Sequence, residues 1–318
     1  MPFQMRVAAS AREVEAALQV VTQCFPNTPA EFFRLYHLHD PFLNPSETFL
    51  GLDNHRIVSV VQRYPRKMYI RGQSVRMVGI GNVATLASHR GMGYASNLVQ
   101  FALRDAEKQD YAFAMLFTRI PSFFQDLGFH IVERNEFFIQ PVAEAPRGRV
   151  QAFDKERDLD QIMELYDRFS AGRTGNLVRH RDYWLGQLHF SREDPQKFRV
   201  LYRQGKIVAY VRAAAVEKTL RLMEYAYLES IYDVFALASE VAARQGLQRI
   251  RLPLLPEEVL QAPDPVPVGE EMEDSIMIRL LNPELMAGQF SLWDDEPQHI
   301  LEELFGAGEF TYWQTDFF

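Results

Sequence analysis

Residues 88–96 read SHRGMGYAS and lead directly into NLVQFALRDAEKQ, whose apolar spacing is that of an amphipathic helix. Gly91 and Gly93 therefore stand where this helix should begin. Glycine is costly inside a helix, but it suits a position where the backbone must come close to another group. The first turn of a helix has unpaired N–H groups and a partial positive charge. The stretch predicts a socket for phosphate, with Arg90 as a cationic partner.

The segments around this stretch predict a mixed α/β unit. Two helices, near Val14 to Phe25 and at PAEFFRLYHLH, precede the strand-like runs TFLGLDNHRIVSVV and SVRMVGIGNVATL. After the long helix, YAFAMLFT has the pattern of a buried strand and PSFFQDLG that of a short helix ending at glycine. The next run, FHIVERNEFFI, predicts a closing hairpin, and PVAEAPRGR at 141–149 has the composition of a linker.

The second half of the chain repeats this order. FRVLYRQGKIVAYV, TLRLMEYAYL, SIYDVFALASEVAARQG and LQRIRLPLL follow one another as hairpin, long strand, helix and strand. No glycine stands between Gly205 and Gly246, so the second copy has no counterpart of RGMG. We predict two tandem units, 1–145 and 150–281, followed by a tail at 282–318 that packs back on them.

Composition narrows the classes of function. A chain of 318 residues suits two domains, and 47% hydrophobic with 24% charged residues is typical of globular proteins. A net charge of −8 argues against nucleic acid as the main partner. One cysteine allows no internal disulfide, so we expect a reducing, cytoplasmic setting. No stretch has the pattern of a signal peptide or a membrane span, so no membrane partner is expected.

Three other candidate sites are weaker. Cys24 falls on the apolar face of its predicted helix and is interpreted as packing. His37 and His39, in YHLHD, lack an obvious set of further ligands, so no metal is expected. The stretch Gly79–Ala84 matches the dinucleotide fingerprint GxGxxA, but a helix would have to begin within it, and here the strand pattern continues.

Two motifs give the chain a family resemblance. Arg90, Gly93 and Ala95 match [QR]xxGx[GA], which opens the long helix of GNAT acetyltransferases, and FFQDLGF resembles the family's (F/Y)YxxxGF element. Two such units, the second degenerate, are similar to the tandem arrangement of enhanced-intracellular-survival (Eis-like) acetyltransferases. The resemblance implies an α/β (α+β) fold of two GNAT-like units, each a mixed, mostly antiparallel sheet flanked by helices. We expect no counterpart of the sterol-carrier-like third domain that Eis-like proteins usually carry.

The resemblance also implies the ligand, acetyl-CoA, bound as a cosubstrate without a metal. Its pyrophosphate would lie on the N–H groups of the glycine loop, and its pantetheine arm would pair with the preceding strand. One main-chain N–H of that strand could face a developing oxyanion. The predicted binding residues are Val83, Thr85, Arg90, Gly91, Met92, Gly93, Tyr94, Ala95 and Ser96.

The chemistry depends on a departure from the family pattern. GNAT enzymes often protonate the leaving thiolate from a tyrosine, and Phe124 occupies that position here. A thiol of pKa ~8.5 leaves tolerably unaided, and a general acid contributes about 10²–10⁴-fold. The favoured hypothesis is an N-acetyltransferase that transfers acetyl directly to a primary amine, with Ser122 or a water as substitute donor. The alternative is a non-catalytic acetyl-CoA sensor or regulatory pseudo-acetyltransferase.

The acceptor and the tail give two further expectations. Asp40, Glu47 and Asp53 lie where GNAT folds often shape acceptor pockets, so they favour a cationic small-molecule amine unless they are solvated loop charges. EFTYWQTDFF is too apolar for an idle tail and should be packed, either as an edge strand of the second unit or in the first unit's site. The Eis-like resemblance implies the latter, with the carboxylate of Phe318 as a base. A homo-oligomer is compatible with the sequence.

The missing second socket predicts one acetyl-CoA per chain, bound in the N-terminal unit. Calorimetry should give a stoichiometry near one. A bulky residue in place of Gly93 should weaken binding far more than any single change between Lys206 and Gln245, because it blocks the approach of the phosphate. Two equal sites, or a preference for NAD over CoA, would contradict this prediction.

Overall fold

The computed structural model describes residues 3–134, 136–190, 196–263, 266–267, 275–306 and 310–318. The helices and strands of the first half in chain order are β1 (Gln4–Val7), α1 (Ala11–Cys24), α2 (Ala30–His39), β2 (Thr48–Asp53), β3 (Arg56–Ile70), β4 (Gln73–Thr85), α3 (Tyr94–Glu107), β5 (Phe113–Thr118), α4 (Pro121–Gln125), β6 (His130–Val132) and β7 (Glu136–Ile139).

The second half follows the same plan. Its helices and strands are β8 (Arg149–Ala152), α5 (Lys155–Ser170), α6 (Arg181–Phe190), β9 (Phe198–Arg203), β10 (Lys206–Val216), β11 (Thr219–Tyr227), α7 (Tyr232–Arg244), β12 (Arg249–Pro253), α8 (Pro256–Val259), β13 (Val266–Pro267), β14 (Ser275–Leu280), α9 (Pro283–Phe290) and α10 (Pro297–Phe305). A single 3₁₀ turn, Gln314–Asp316, lies in the tail.

These strands form two seven-stranded sheets. The first has the order β1-β2-β3-β4-β5-β14-β6, and the second has the order β13-β7-β12-β11-β10-β9-β8. Among the described strand pairs, only β4 with β5 and β11 with β12 run parallel, because a helix connects the two strands of each pair. The two mixed, mostly antiparallel sheets confirm the predicted fold class.

The predicted closing hairpin at residues 129–139 is wrong. β6 pairs with β14 in the first sheet, whereas β7 pairs with β12 in the second. β14 in turn lies between β5 and β6, with Ile278 opposite Met115. Each sheet is therefore completed by a strand from the other half of the chain. An apolar run specifies a strand but not its partner, so a sequence pattern favours the nearest pairing even where a distant one forms.

The exchanged strand β14 is part of the core of the first sheet. Ile276 and Ile278 are buried in the cluster on one face of this sheet, and Met277 is buried in the cluster on the other face. The predicted units 1–145 and 150–281 divide the chain by sequence, but each sheet includes one strand from the other unit.

Packing explains both the position of Cys24 on α1 and the close crossing of α2 and α6. α1 buries Val14, Leu18 and Val21 on one face, and the half-buried Cys24 packs beside them, which confirms that this thiol is a packing residue. Helices α2 and α6 approach closely at Gly186, where a Cβ would overlap the carbonyl oxygen of His39. This crossing joins the two halves of the chain a second time.

A fragment that ends at residue 145 should not fold as an isolated domain. It lacks β14, so β5 and β6 lose the strand that lies between them, and the first sheet loses four buried side chains. We expect fragment 1–145 to show neither a cooperative thermal transition by circular dichroism nor CoA binding by calorimetry. Co-expression with residues 146–318 should restore both properties. A folded fragment that binds CoA alone would contradict the prediction.

Candidate active site

The glycine loop has the geometry of an anion socket. Gly91 (φ +77°) and Gly93 (φ +75°) both adopt the left-handed conformation, which L side chains rarely take. Gly93 is the N-cap of α3, and the first helical hydrogen bond of this helix runs from Asn97 N to Gly93 O at 3.0 Å. The N–H groups of Tyr94, Ala95 and Ser96 thus have no partner within the helix. The loop presents these donors at an exposed surface, together with the side chain of Met92.

The residues beside the loop hold its shape. Nε of the exposed Arg90 donates a hydrogen bond to Thr85 O at 3.1 Å, which leaves the rest of the guanidinium near the loop. The ring of Tyr94 stacks on Phe3, with centroids 3.9 Å apart. The loop is therefore attached to the end of β4 on one side and to the start of the chain on the other.

The end of β4 is an open edge. β4 pairs with β5 only from Met77 to Gly79, and it then continues to Thr85 without that neighbour. Its ladder with β3 shifts between the pairs Val60↔Ala84 and Gln62↔Gly81, so two residues of β4 form a bulge opposite one residue of β3. Val83 and Thr85 lie on this unpaired stretch, where an extended ligand arm could pair with their main chain. The match to GxGxxA lies wholly inside β4, so the dinucleotide alternative is excluded.

The chain's last residue lies beside the bulge. A Cβ on Gly79 would overlap the ring of Phe318, and a Cβ on Gly81 would lie 3.4 Å from Phe318 O. The ring of Tyr64 stacks on Phe318, with centroids 5.0 Å apart. The two glycines of β4 therefore make room for the tail. The match of these glycines to a dinucleotide motif did not indicate this role.

Aromatic and polar contacts keep the tail in this position. The ring of Phe317 stacks on Phe117 of β5 at 4.0 Å, and the hydroxyl of Tyr36 donates to Phe317 O at 2.7 Å. The alternative of a final edge strand in the second sheet is wrong, since residues 314–316 form a 3₁₀ turn instead. Trp313 does pack into the core of the second unit.

The predicted acid position is part of the core. Phe124 is buried, with its ring 4.8 Å from that of Phe123 and 6.0 Å from that of Phe129. Ser122 is exposed on the same helix, α4. The catalytic roles given to Phe318, Ser122 and Phe124 stay predictions.

Sequence reasoning missed two hydroxyl groups near the tail. Tyr36 on α2 contacts Phe317, and Tyr64 on β3 accepts a hydrogen bond from Asn82 Nδ2 at 2.9 Å. Burial raises the pKa of both phenols well above its usual value, so both stay protonated at neutral pH. Neither tyrosine lies in a recognisable motif, and only the packing of α2 and β3 against the tail brings them to this place.

The acidic residues expected to attract a cation are engaged elsewhere. Asp40 forms a buried ion pair with Arg66, and Glu47 forms one with Arg63 at 2.6 Å. Both the free acidic pocket and the solvated loop are therefore wrong for these two residues. Asp53 lies 3.4 Å from Nε2 of His89, next to the glycine loop. A signal was present, because two arginines inside the buried strand β3 require buried partners.

The helix of the second unit that corresponds to α3 has no free anion socket. Asp233 in the first turn of α7 forms an ion pair with Arg203, whose Nη1 donates to Oδ2 at 2.9 Å. Nε of Arg203 also donates to Arg147 O in the linker at 2.7 Å. A carboxylate of the protein thus lies where α3 has an open glycine loop.

The described residues contain neither a metal-ligand cluster nor a helix that could span a membrane. No group of three or more His, Cys, Asp or Glu side chains in that part of the chain could hold a metal ion. None of the helices in the same residues combines the length and the apolar character needed to cross a bilayer.

Comparison with known proteins supports the assignment of the first unit. Residues 6–132 match the family model of the acetyltransferase (GNAT) domain. No curated protein sequence matches the chain. The N-terminal unit is therefore a GNAT acetyltransferase domain.

Solved structures resemble both units together. A probable N-acyltransferase from Enterococcus faecalis V583, described as a conserved protein of unknown function, has a TM-score of 0.71 at 20% identity, over 88% of this chain and 73% of that chain. Eis1 from Mycobacterium abscessus has a TM-score of 0.68 at 18% identity, over 90% and 75%. Saccharomyces cerevisiae N-myristoyltransferase with bound myristoyl-CoA has a TM-score of 0.57 at 12% identity, over 89% and 79%. The chain thus has the tandem GNAT fold of Eis-like structures.

Proposed function

We propose that the protein is an N-acetyltransferase that moves acetyl from acetyl-CoA directly to a primary amine of a small molecule or peptide. One arrangement in the first unit carries the proposal. The glycine loop lies beyond the end of β4, the open edge lies on β4 itself, and the tail lies farther back along this strand, beside Gly81. They suit in turn the pyrophosphate, the pantetheine arm and the reacting acyl group of the cosubstrate.

The cosubstrate would be held mainly by backbone. Its pyrophosphate would accept hydrogen bonds from the N–H groups of residues 91–96 and a charge-assisted bond from Arg90. Its pantetheine arm would pair with the main chain of Val83 and Thr85. A main-chain N–H at the bulge would then stabilise negative charge on the thioester oxygen. Glycine at 91 and 93 is needed both for the conformation and for the close approach.

The reaction needs two proton movements. The neutral amine attacks the thioester carbonyl, a C–N bond forms, and collapse of the tetrahedral intermediate breaks the C–S bond and releases the CoA thiolate. In a protein that ends at Phe318, the terminal carboxylate beside Gly81 could take the proton from the incoming ammonium, directly or through water. The thiolate could take its proton from water, from Ser122 or from one of the buried phenols, Tyr36 and Tyr64.

The proposed acceptor is a primary amine that is cationic before it reacts. Asp40 and Glu47 are already neutralised by arginines, so they cannot provide the attraction. The carboxylate of Phe318 would provide it instead, at the place where the amine must lose a proton. The rings of Tyr64, Phe117 and Phe317 around it would contact the apolar part of the acceptor.

A second candidate function follows from Phe124. A GNAT domain that lacks the usual tyrosine could bind acetyl-CoA without turnover, as a sensor or regulatory module. Release of free thiol in the presence of a panel of amines separates the two functions, because a sensor binds acetyl-CoA but releases no thiol.

Replacing Phe124 by tyrosine tests the missing acid. If the site is otherwise intact, Phe124→Tyr should raise kcat by about 10²-fold, the lower end of the 10²–10⁴-fold that a positioned general acid contributes. Phe123→Tyr adds the same hydroxyl one residue away and serves as the matched control. If Phe124→Tyr binds acetyl-CoA normally without a gain, another group already supplies the proton. If no variant releases thiol from any amine, the sensor is the better description.

Extending the chain beyond Phe318 tests the carboxylate. Three added glycines move the charge but leave the rings of Phe317 and Phe318 in place, so the fold should be retained. Turnover should fall by about 10²–10⁴-fold, the usual contribution of a general base, while the Kd for acetyl-CoA stays unchanged. The same three glycines at the N-terminus form the control. Normal turnover by the extended protein would show that the carboxylate has no catalytic part.

A further inference from the structure

The second unit holds the tail through one buried carboxylate, Asp316, which is 1% exposed. Arg179 donates to it twice, from Nε to Oδ1 at 3.0 Å and from Nη2 to Oδ2 at 2.6 Å. Gln187 Nε2 and the Tyr183 hydroxyl, both on α6, donate to Oδ1 at 2.9 and 3.2 Å. Four hydrogen bonds from the second unit therefore converge on one side chain of the tail.

Arg179 is itself fixed by a second buried carboxylate, Glu224 on β11. Nη1 and Nη2 of Arg179 donate to the two oxygens of Glu224 at 3.1 and 2.8 Å. Arg212 donates to Glu224 at 3.1 Å, and the hydroxyl of Thr315 in the tail also donates to it. Burial opposes ionisation of Glu224, but Arg179 and Arg212 outweigh it and lower its pKa to about 2. Two cations and two carboxylates balance in a site closed to water, which is the condition under which buried charge is tolerated.

This cluster lies at the bulge of the second sheet that corresponds to the bulge beside Gly81 and Phe318 in the first. The ladder between β10 and β11 shifts between Arg212↔Glu224 and Ala213↔Leu222, so β11 bulges just beyond its stretch paired with β12. The ladder between β3 and β4 shifts in the same way just beyond the stretch paired with β5, next to Gly81. In the first unit this place holds Phe318 of the tail, whereas in the second unit it holds the ion cluster.

We propose that Arg179 and Glu224 are positioning residues for the reaction in the first unit, and that the second unit has converted its own acyl site into a clamp for Asp316. The inference rests on the proposed function. Asp316 precedes Phe318 by two residues, and two residues span at most about 7 Å. Fixing Asp316 therefore restricts Phe318 to a small region around Gly79 and Gly81. In place of a second active site, the second unit provides the contacts that fix the position of the tail.

Asp316→Asn and Arg179→Lys test the clamp by weakening it: the first removes the charge but keeps the shape of the side chain, and the second keeps the charge but removes the planar guanidinium. A misplacement of 1 Å in a reacting group can cost about 10²-fold, so kcat should fall about 10–100-fold. The KM and Kd for acetyl-CoA should stay within about twofold of wild type, because the glycine loop belongs to the other unit. Thr315→Val, at a half-buried residue, is the milder variant if those two fail to fold.

Glu258→Gln is the matched control. Glu258 forms an ion pair with Arg173 at 2.5 Å, also buried in the second unit, and its hydrogen bonds involve no residue of 314–318. The control should lower Tm comparably but leave kcat within about twofold. Loss of kcat no greater in the clamp variants than in the control, at equal loss of Tm, would overturn the inference.

Amide hydrogen exchange at Phe317 and Phe318 gives a readout that does not need turnover. Exchange there should be at least tenfold faster in Asp316→Asn than in wild type, and unchanged in Glu258→Gln. If wild type releases no thiol with any amine, the proposed function fails, and the exchange rates still decide whether the clamp orders the tail. Unchanged exchange, or faster exchange with unaltered kcat in an active enzyme, would overturn the positioning role.

Discussion

β14 and β7 cross between the two sheets, and the position of every later residue depends on that exchange. β14 enters the first sheet between β5 and β6, and α9 and α10 then pack on the same side of the first unit. The segment after α10 therefore begins at the first unit, and residues 310–318 lie where the two units meet. The exchange therefore helps to bring Phe318 to the bulge of β4.

The two units have different residues at equivalent positions of the same fold. The first keeps left-handed glycines before α3 and an open edge on β4. The second has Asp233 paired with Arg203 at the equivalent helix and the cluster around Glu224 at the equivalent bulge. Opposite charges that neutralise each other leave nothing to attract a phosphate or an amine. The same pairing gives the rigidity that a positioned tail requires.

The motifs of the first unit could be predicted from the sequence because each is formed by neighbouring residues. RGMG precedes a helix at the right spacing, and backbone conformation near glycine depends on adjacent residues, so the loop could be predicted without tertiary structure. The partners in the buried ion pairs Asp40–Arg66 and Glu47–Arg63 could not be predicted in this way. Each joins residues from different elements, and the sequence shows only that a buried arginine must have some partner.

The sequence by itself determined two α/β units, one glycine loop and an apolar tail that had to be packed. Periodicity, turn residues and missing glycines carry that information along the chain. Tertiary structure alone decided that β7 pairs with β12 and not with β6. It also decided that Gly79 and Gly81 make room for Phe318 and that Asp316 forms an ion pair with Arg179. These three contacts join residues more than a hundred positions apart, and their free energy exists only once both sheets have formed.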